Sequence, residues 1–464
     1  MKKQIRTFAM LAAVCGISSF ATYAADIERV IVRQQWPWST DIDVEYMLSG
    51  VTEPVDINVQ AYDGGQELPS ANLAEAISGD RYGISRNGVG SLTIDPVKAF
   101  GTANVTLPAF RVKLTLSASA ANINEIVYKI FDLTNSCACT DVTRADLLNG
   151  KYGAVETDFG AIGEGFNTSL DDVIIWTGVT NDIAYKTTHL VMRKIPAKGK
   201  SFTMGKLDKA YFTNRFADSE IQHEVSFTND YYAGVFELTY GQATNISSLA
   251  TPATSLTMTF TNATDNSIRA MTLAATTVRG DVDNWPACGR DETKNACLVK
   301  KLRDKTGLLF DLPTDAIWEY TCRAGTETDF NCGIVCSNNN WQALQNMVSR
   351  STLNSSFGAT ELSTLDQGVT SDKAVAVVGS YLPNAYGLYD MHGNIAEWCL
   401  DSYVADLGTA AVVDPWGGAS GNRIMRGGAF YLSEAYLASS ARNQNMAANQ
   451  RRSYSGARLF IVVP

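Results

Sequence analysis

Apolar and polar residues alternate in two neighbouring stretches near the start of the chain. In TDIDVEYML the apolar set is Ile42, Val44 and Tyr46, and in VDINVQAY it is Val55, Ile57, Val59 and Ala61. A period of two is the mark of a half-buried strand. Turn formers follow at Asp63-Gly64-Gly65 and Asn87-Gly88, and SLTIDP and FRVKLTLSA supply further strands. Short strands at this spacing predict a small all-β sandwich-like domain over residues 25–120. Asp41, Asp43 and Glu45 share one face of the first strand, where a cation site competes with a solvated face; the solvated face is the simpler reading.

The pattern then loosens. EIVYKIFDL is strand-like, but the rest of 121–185 is rich in Gly, Asp and Asn, with DDVIIWTGV its one strongly apolar segment. It reads as a connecting strand and loop region laid across a domain surface. From 186 to 464 short strands and long loops alternate with two helices. One is predicted over 293–305, where Leu298 and Leu302 lie a turn apart, Arg303 and lysines gather near the end, and Gly307 stops it. A second belongs to LPTDAIWEY, with Pro313 at its entry, Thr314 or Asp315 as cap and Gly325 beyond its end. Past Gly325 the chain is so rich in glycine and asparagine that its loops need another tie, for which metal ions and disulfides are the usual means.

MKKQIR, an apolar run over 8–20 and the small residues Thr22 and Ala24 predict a signal peptide over 1–24. No later apolar run approaches the roughly 20 residues of a membrane span. The mature chain is therefore expected to be secreted or periplasmic. Cleavage leaves 35 basic and 48 acidic side chains, a net charge of −13, which argues against nucleic acid as a partner. It also removes Cys15 and leaves eight cysteines, an even number in an oxidising compartment, so disulfides are expected. Cys137 and Cys139 are too close to bond each other comfortably, so each needs a distant partner or the two form a labile pair. Without a CxxC, and with only His189, His223 and His392, zinc is disfavoured.

The densest chemistry lies in YGLYDMHGNIAEWCLD, residues 386–401. Asp390 and Glu397 offer carboxylate oxygens on either side of a turn at Gly393-Asn394, whose carbonyls can complete an oxygen cage for calcium. The same residues also describe a tight turn before a buried Trp398.

GLYDMHGNIAEWCLD resembles the signature of the formylglycine-generating enzyme family, the sulfatase-modifying factors. The resemblance continues in the family's order through FTMG (202–205), QHEVSF and YYAGVFELTYGQ (222–242), DLPTDAIWEYTCRAGT (311–326), RIMRGG from 423 and SGARLF from 455. It implies an α+β, C-type-lectin-like fold with little regular secondary structure over 186–464, preceded by the all-β domain. By the same resemblance, Asp390 and Glu397 bind structural calcium through side chains and Gly393 and Ile395 through carbonyls, with a second calcium site around the loop near Asn354.

Family members that oxidise a sulfatase cysteine to formylglycine hold copper(I) with two cysteines, four and nine residues past the second glycine of the Gly-Gly pair. Here those positions are Leu432 and Leu437, and Ala429 replaces the usual serine. Leucine cannot ligate copper. Copper is therefore not expected, unless Cys332 and Cys336 form a relocated pair; their spacing also suits a small disulfide loop, the favoured reading. Cys322 and Cys399, in the two best-matching blocks, are expected to form a disulfide, with Cys288 and Cys297 the next pair to test.

No GxSxG, HExxH or GxGxxG in the right setting offers another catalytic centre. Two readings remain. One is a catalytically degenerate, calcium-stabilised binding scaffold for a peptide, protein or glycan, with a groove lined by Tyr431, Glu434, Tyr436, Arg442 and Asn443. The other is a formylglycine-generating oxidase with a relocated metal site. For the groove residues, a packed loop without ligand is an equal alternative. His392 is expected to be a turn residue.

Overall fold

The computed structural model describes residues 25–463 apart from 36–38, 70–71, 101–108, 158–173, 209, 213–219, 250–266, 281–296, 356–374, 419–420 and 443. The signal-peptide segment, Cys288 and Asn443 lie outside the described residues. The chain divides into two compact units, Met1–Ile126 with Val142–Val155, and Val127–Asp141 with Glu156–Pro464.

In the first unit the alternating stretches become the strands Ile42–Ser49 and Val55–Asp63. A four-stranded antiparallel sheet, ordered Asp26–Gln34, Ile42–Ser49, Gly88–Ile94, Ile77–Gly79, shares one apolar core with a three-stranded sheet ordered Gln66–Glu67, Val55–Asp63, Phe110–Ala118. Val44, Ile57 and Ile94 are wholly buried in that core. Glu45, on the polar face, reaches Arg29 and Arg33 at 3.8 and 3.7 Å, and Asp43 accepts from Gln35 and Thr93. These carboxylates therefore face a basic, hydrogen-bonding neighbour strand.

The second unit is built on a six-stranded sheet ordered Leu309–Asp311, Phe460–Val463, Asp230–Gly234, His189–Ile195, Ile126–Asp132, Ala138–Thr143. Residues 127–141, inside the stretch that reads as a surface connection, thus supply the last two strands of this sheet, with Ala138–Thr143 at its edge. Beside it lie a four-stranded sheet ordered Gln444–Met446, Arg423–Arg426, Ala396–Ser402, Ser455–Gly456 and a three-stranded one ordered Ser201–Met204, His223–Ser226, Val412–Val413.

The predicted helices occur as Leu298–Thr306 and Asp315–Arg323. The first stops at Gly307, whose φ of 69° is open to glycine at no cost. The second is capped by Thr314, whose hydroxyl accepts from the Ile317 amide. Two others, Tyr240–Ser248 and Trp341–Val348, lie outside the predicted pair, although Leu344 and Val348 are buried a turn apart on the latter. The former starts at a capping box, Thr239 and Gln242 exchanging side-chain and backbone bonds, and buries Ala243 and Ile246.

Among the described residues the expected Cys322–Cys399 and Cys332–Cys336 disulfides are not formed. Cys322, Cys399 and Cys332 are buried thiols, and Cys336 is buried beside them in the same apolar cluster. The helix directs Cys322 Sγ to Met391 O, His392 Nε2 and Ser439 Oγ at 3.7–3.9 Å, whereas Cys399 Sγ lies by Glu397 O. Cys137 is buried and Cys139 exposed, both as thiols.

Candidate functional site

The turn of the densest motif needs left-handed backbone at Asp390, Gly393 and Asn394, with φ of 60°, 81° and 56°. Asp and Asn visit this region more readily than other side chains, and glycine freely. At Gly393 there is also no room, because a Cβ would sit 2.0 Å from the Arg350 carbonyl oxygen. The turn delivers Asp390 and Glu397 into the interior, each no more than 2 % exposed.

There the two differ. Both oxygens of Glu397 are engaged, by Arg458 at 2.7 Å and by the Trp318 indole N–H at 2.7 Å. Asp390 accepts the Gly379 amide at 2.7 Å through Oδ2, while its Oδ1 is buried without a hydrogen-bond partner. The third carboxylate of the cluster is Glu237, wholly buried, which accepts from Ile395 N at 3.1 Å and from the Asn394 side chain. Burial, then the charges of Asp390 and Glu397, hold Glu237 well above the usual carboxylate range. Burial likewise pushes Asp390 up to about 6, although the Gly379 amide, Arg458 and Lys186 oppose it.

Three buried carboxylates around one guanidinium and one lysine leave an excess of negative charge, and Asp390 Oδ1 offers an unused hard oxygen. Both features fit a calcium ion beside Asp390. Glu397 and Glu237 each have both oxygens engaged by protein donors, so Asp390 is the one carboxylate of the three with an unused oxygen. Among the described residues no three His, Cys, Asp or Glu side chains converge as metal ligands, so carbonyls, with Gly393 and Ile395 the expected pair, would have to complete the cage. Glu237 escaped sequence reasoning; a lone acid within the apolar run YYAGVFELTYGQ was the available signal. Asn354 is spent locally, on Ser351 N, Ser349 O and the Asn346 side chain.

The second candidate region follows the glycine pair. Gly427 and Gly428 have φ of 87° and 75°, and a Cβ on Gly428 would meet Tyr436 O at 2.8 Å. Leu437 is completely buried and Leu432 half-buried, both packed in the same apolar cluster. The Leu437 carbonyl accepts from His392 Nδ1 at 2.6 Å, so Nε2 is the acceptor for the Asn331 amide at 3.0 Å. Burial lowers His392 to about 4 and keeps it neutral, a structural residue rather than an acid or base. Burial also raises Cys322 to about 12 and raises Cys332, so neither is a thiolate in the metal-free protein.

Of the expected groove, Tyr431, Glu434 and Tyr436 are half-buried. Tyr431 packs on Tyr454 with ring centroids 4.8 Å apart, adding a tyrosine that the sequence reading left out. Arg442 does not line a groove. It is 1 % exposed and bonds Asp315 at 2.7 Å and Val404 O at 3.1 Å. Asp315 also binds Arg426, which reaches Glu319 at 2.9 Å and the Ser439 and Ala441 carbonyls, and Glu319 binds Arg323 at 2.8 Å. This buried ionic network fastens the C-terminal loop to the helix Asp315–Arg323.

A family model described as the sulfatase-modifying factor enzyme 1-like domain matches residues 197–462. The chain belongs to that family. This sulfatase-modifying-factor-like chain is 38% identical to the formylglycine-generating enzyme of Thermomonospora curvata over 76 residues, 15% of this chain and 25% of the relative. To the Bos taurus formylglycine-generating enzyme it is 28% identical over 139 residues, 29% of this chain and 34% of the relative. It thus spans a quarter to a third of the length of these curated relatives. Among solved structures, Treponema denticola variable protein 1 aligns with a TM-score of 0.41 at 21% identity, covering 59% of this chain and 95% of that one. The α+β fold of the second unit, with short sheets and long loops, is that of the family. Among the described residues no helix is long and apolar enough to cross a membrane.

Proposed function

We propose that this chain is an exported member of the sulfatase-modifying-factor family that no longer oxidises cysteine and acts instead as a calcium-stabilised binding scaffold for a peptide or glycan. The observation that carries the reading is the pair Leu432 and Leu437, standing where the resemblance calls for copper cysteines. Leu437 is built into the apolar core. A relocated pair at Cys332 and Cys336 is disfavoured by their burial, because a buried thiol resists ionisation.

The binding face in this reading is formed by Tyr431, Glu434 and Tyr436 with Tyr454 behind them, aromatic rings supplying area and polar tips direction. The buried ionic network around Arg426 holds that face in place. Calcium, bound by Asp390 with backbone carbonyls, would neutralise the carboxylate excess and fix the turn that supports the loop.

The test is to incubate the purified, pre-reduced protein with copper(I), oxygen and a CxPxR peptide beside a working formylglycine-generating enzyme, following peptide mass. No conversion is expected. Conversion to the aldehyde would overturn the reading, and loss of that conversion in a Cys332→Ser variant would locate the relocated copper pair.

A further inference from the structure

A cleft of 340 Å³ lies in the second unit, and two of its wall segments are joined by a residue that does not itself line it. Pro313, Thr314 and Ile317, at the start of the helix Asp315–Arg323, form one segment, and Asp414, Pro415 and Trp416 form the other. Asp401 accepts the Asp315 amide at 2.7 Å through Oδ2 and the Gly417 amide at 2.6 Å through Oδ1. One carboxylate thus pins the helix start to the turn that carries Trp416.

That carboxylate sits where a charge is poorly supported. It is 5% exposed, and among the described residues the two amides are its only hydrogen-bond donors. The charged and titratable groups that act on it are Asp315 on the helix, Arg442 in the C-terminal loop, Arg423 on the strand Arg423–Arg426 and Cys399 on its own strand. Both guanidiniums bond elsewhere, Arg442 to Asp315 at 2.7 Å and Arg423 to the Leu400 and Gly418 carbonyls at 2.9 and 3.2 Å. A buried carboxylate with no bonded cation, beside a second carboxylate, resists ionisation. Burial and then the Asp315 charge push Asp401 up to about 7, against the two amides and Arg442.

The turn has other ties that do not pass through Asp401. The Ser402 hydroxyl donates to Gly418 O at 2.7 Å, and Asp414 accepts the Thr228 amide at 3.0 Å. Freeing the Gly417 amide therefore loosens one side of the turn and leaves the strand behind it in place. We propose that Asp401 is a pH-sensitive clasp between two walls of this cleft: protonated, it holds the Trp416 turn against the helix start, and on losing its proton to solvent it releases the turn and opens the cleft. Once open to water, Asp401 regains an ordinary carboxylate pKa of about 4. The clasp is therefore fully held below about pH 4 and loosens as pH rises towards about 7, where the opening equilibrium has grown by about a hundredfold or more and levels off. This device does not rest on the C-terminal loop having a ligand.

Hydrogen–deuterium exchange of the Gly417 amide in the whole protein, corrected for the intrinsic pH dependence of exchange, reads that opening equilibrium when reclosing outpaces exchange. Protection is expected to fall by at least about twentyfold between about pH 4.5 and about pH 7.5. Asp401→Asn, neutral at every pH, should change by less than about threefold over the same range. Arg442→Met keeps Asp401 and removes a cation that offsets Asp315, so its protection should level off at a higher pH than in the unaltered protein; this variant carries the test if Asp401→Asn does not fold. Protection that varies by less than about threefold in the unaltered protein, a loss that persists in Asp401→Asn, or an Arg442→Met profile that levels off at the same or a lower pH would overturn the proposal.

Discussion

Replacing Arg426 by methionine removes the central cation of the network that fastens the C-terminal loop. The guanidinium is fully buried and makes bonds to Asp315, to Glu319 at 2.9 Å, and to the carbonyls of Ser439 and Ala441 at 3.1 and 3.2 Å. Its loss leaves Asp315 with Arg442 at 2.7 Å, and Glu319 with Arg323 at 2.8 Å and the Gly205 amide at 2.9 Å. The charges are therefore weakened in support without being orphaned, but both carbonyls lose a buried donor. Breaking a buried pair typically costs about 3–5 kcal/mol, and the remaining partners place this case near about 3 kcal/mol. Arg442→Met, which leaves Arg426 bridging both carboxylates, should cost less. Urea unfolding followed by tryptophan fluorescence reads the difference, since Trp318 lies beneath the Arg426 guanidinium at 5.8 Å. The variant should also expose Cys322, whose sulfur rests 3.7 Å from Ser439 Oγ, to faster modification by a thiol reagent. A loss below about 1 kcal/mol, or a larger loss for Arg442→Met, would refute the reasoning that charge desolvation governs this network.

Three further outcomes are expected. Metal-free protein should lose stability as pH rises from about 4 through about 6, because Asp390, pushed up to about 6, holds its proton longer folded than unfolded. Calcium should reverse that slope, giving a larger thermal shift at pH 8 than at pH 5; a shift absent at both would remove the metal from the proposal. Gly393→Ala should destabilise severely, by at least about 2 kcal/mol, because its Cβ meets the Arg350 carbonyl at 2.0 Å and its φ is 81°; near-native urea midpoints would contradict the turn geometry. Brief N-ethylmaleimide treatment of the native protein should label Cys139, exposed, ahead of the buried Cys322 and Cys399, and a Cys322–Cys399 disulfide recovered under non-reducing conditions would refute the free-thiol arrangement.

Local chemistry was legible where a short-range rule decides it. The alternation in TDIDVEYML and VDINVQAY determines which side chains a strand can bury, and the stop at Gly307 and the cap at Thr314 depend on neighbours within a turn. The order of motif blocks along the chain points to the family, and the aliphatic identity of Leu432 and Leu437 is a covalent fact of the chain. Helix Tyr240–Ser248 was missed because its sequence is a poor helix former; a capping box and the burial of Ala243 and Ile246 outweigh its propensity.

What only the tertiary structure decided are pairings between residues far apart in sequence. Arg442 reads as a groove residue until Asp315, 127 positions away, claims its guanidinium, and Glu397 reads as a free ligand until Arg458 and Trp318 take both oxygens. Cys322 and Cys399 lie in adjoining blocks of the motif order, yet a helix and a strand send their sulfurs to different neighbours. Glu237 joins the carboxylate cluster from a position 153 residues before Asp390. Spacing along a chain constrains what lies within a turn or a strand. Which charge neutralises which is settled by burial, where an unpaired ion costs too much to leave alone.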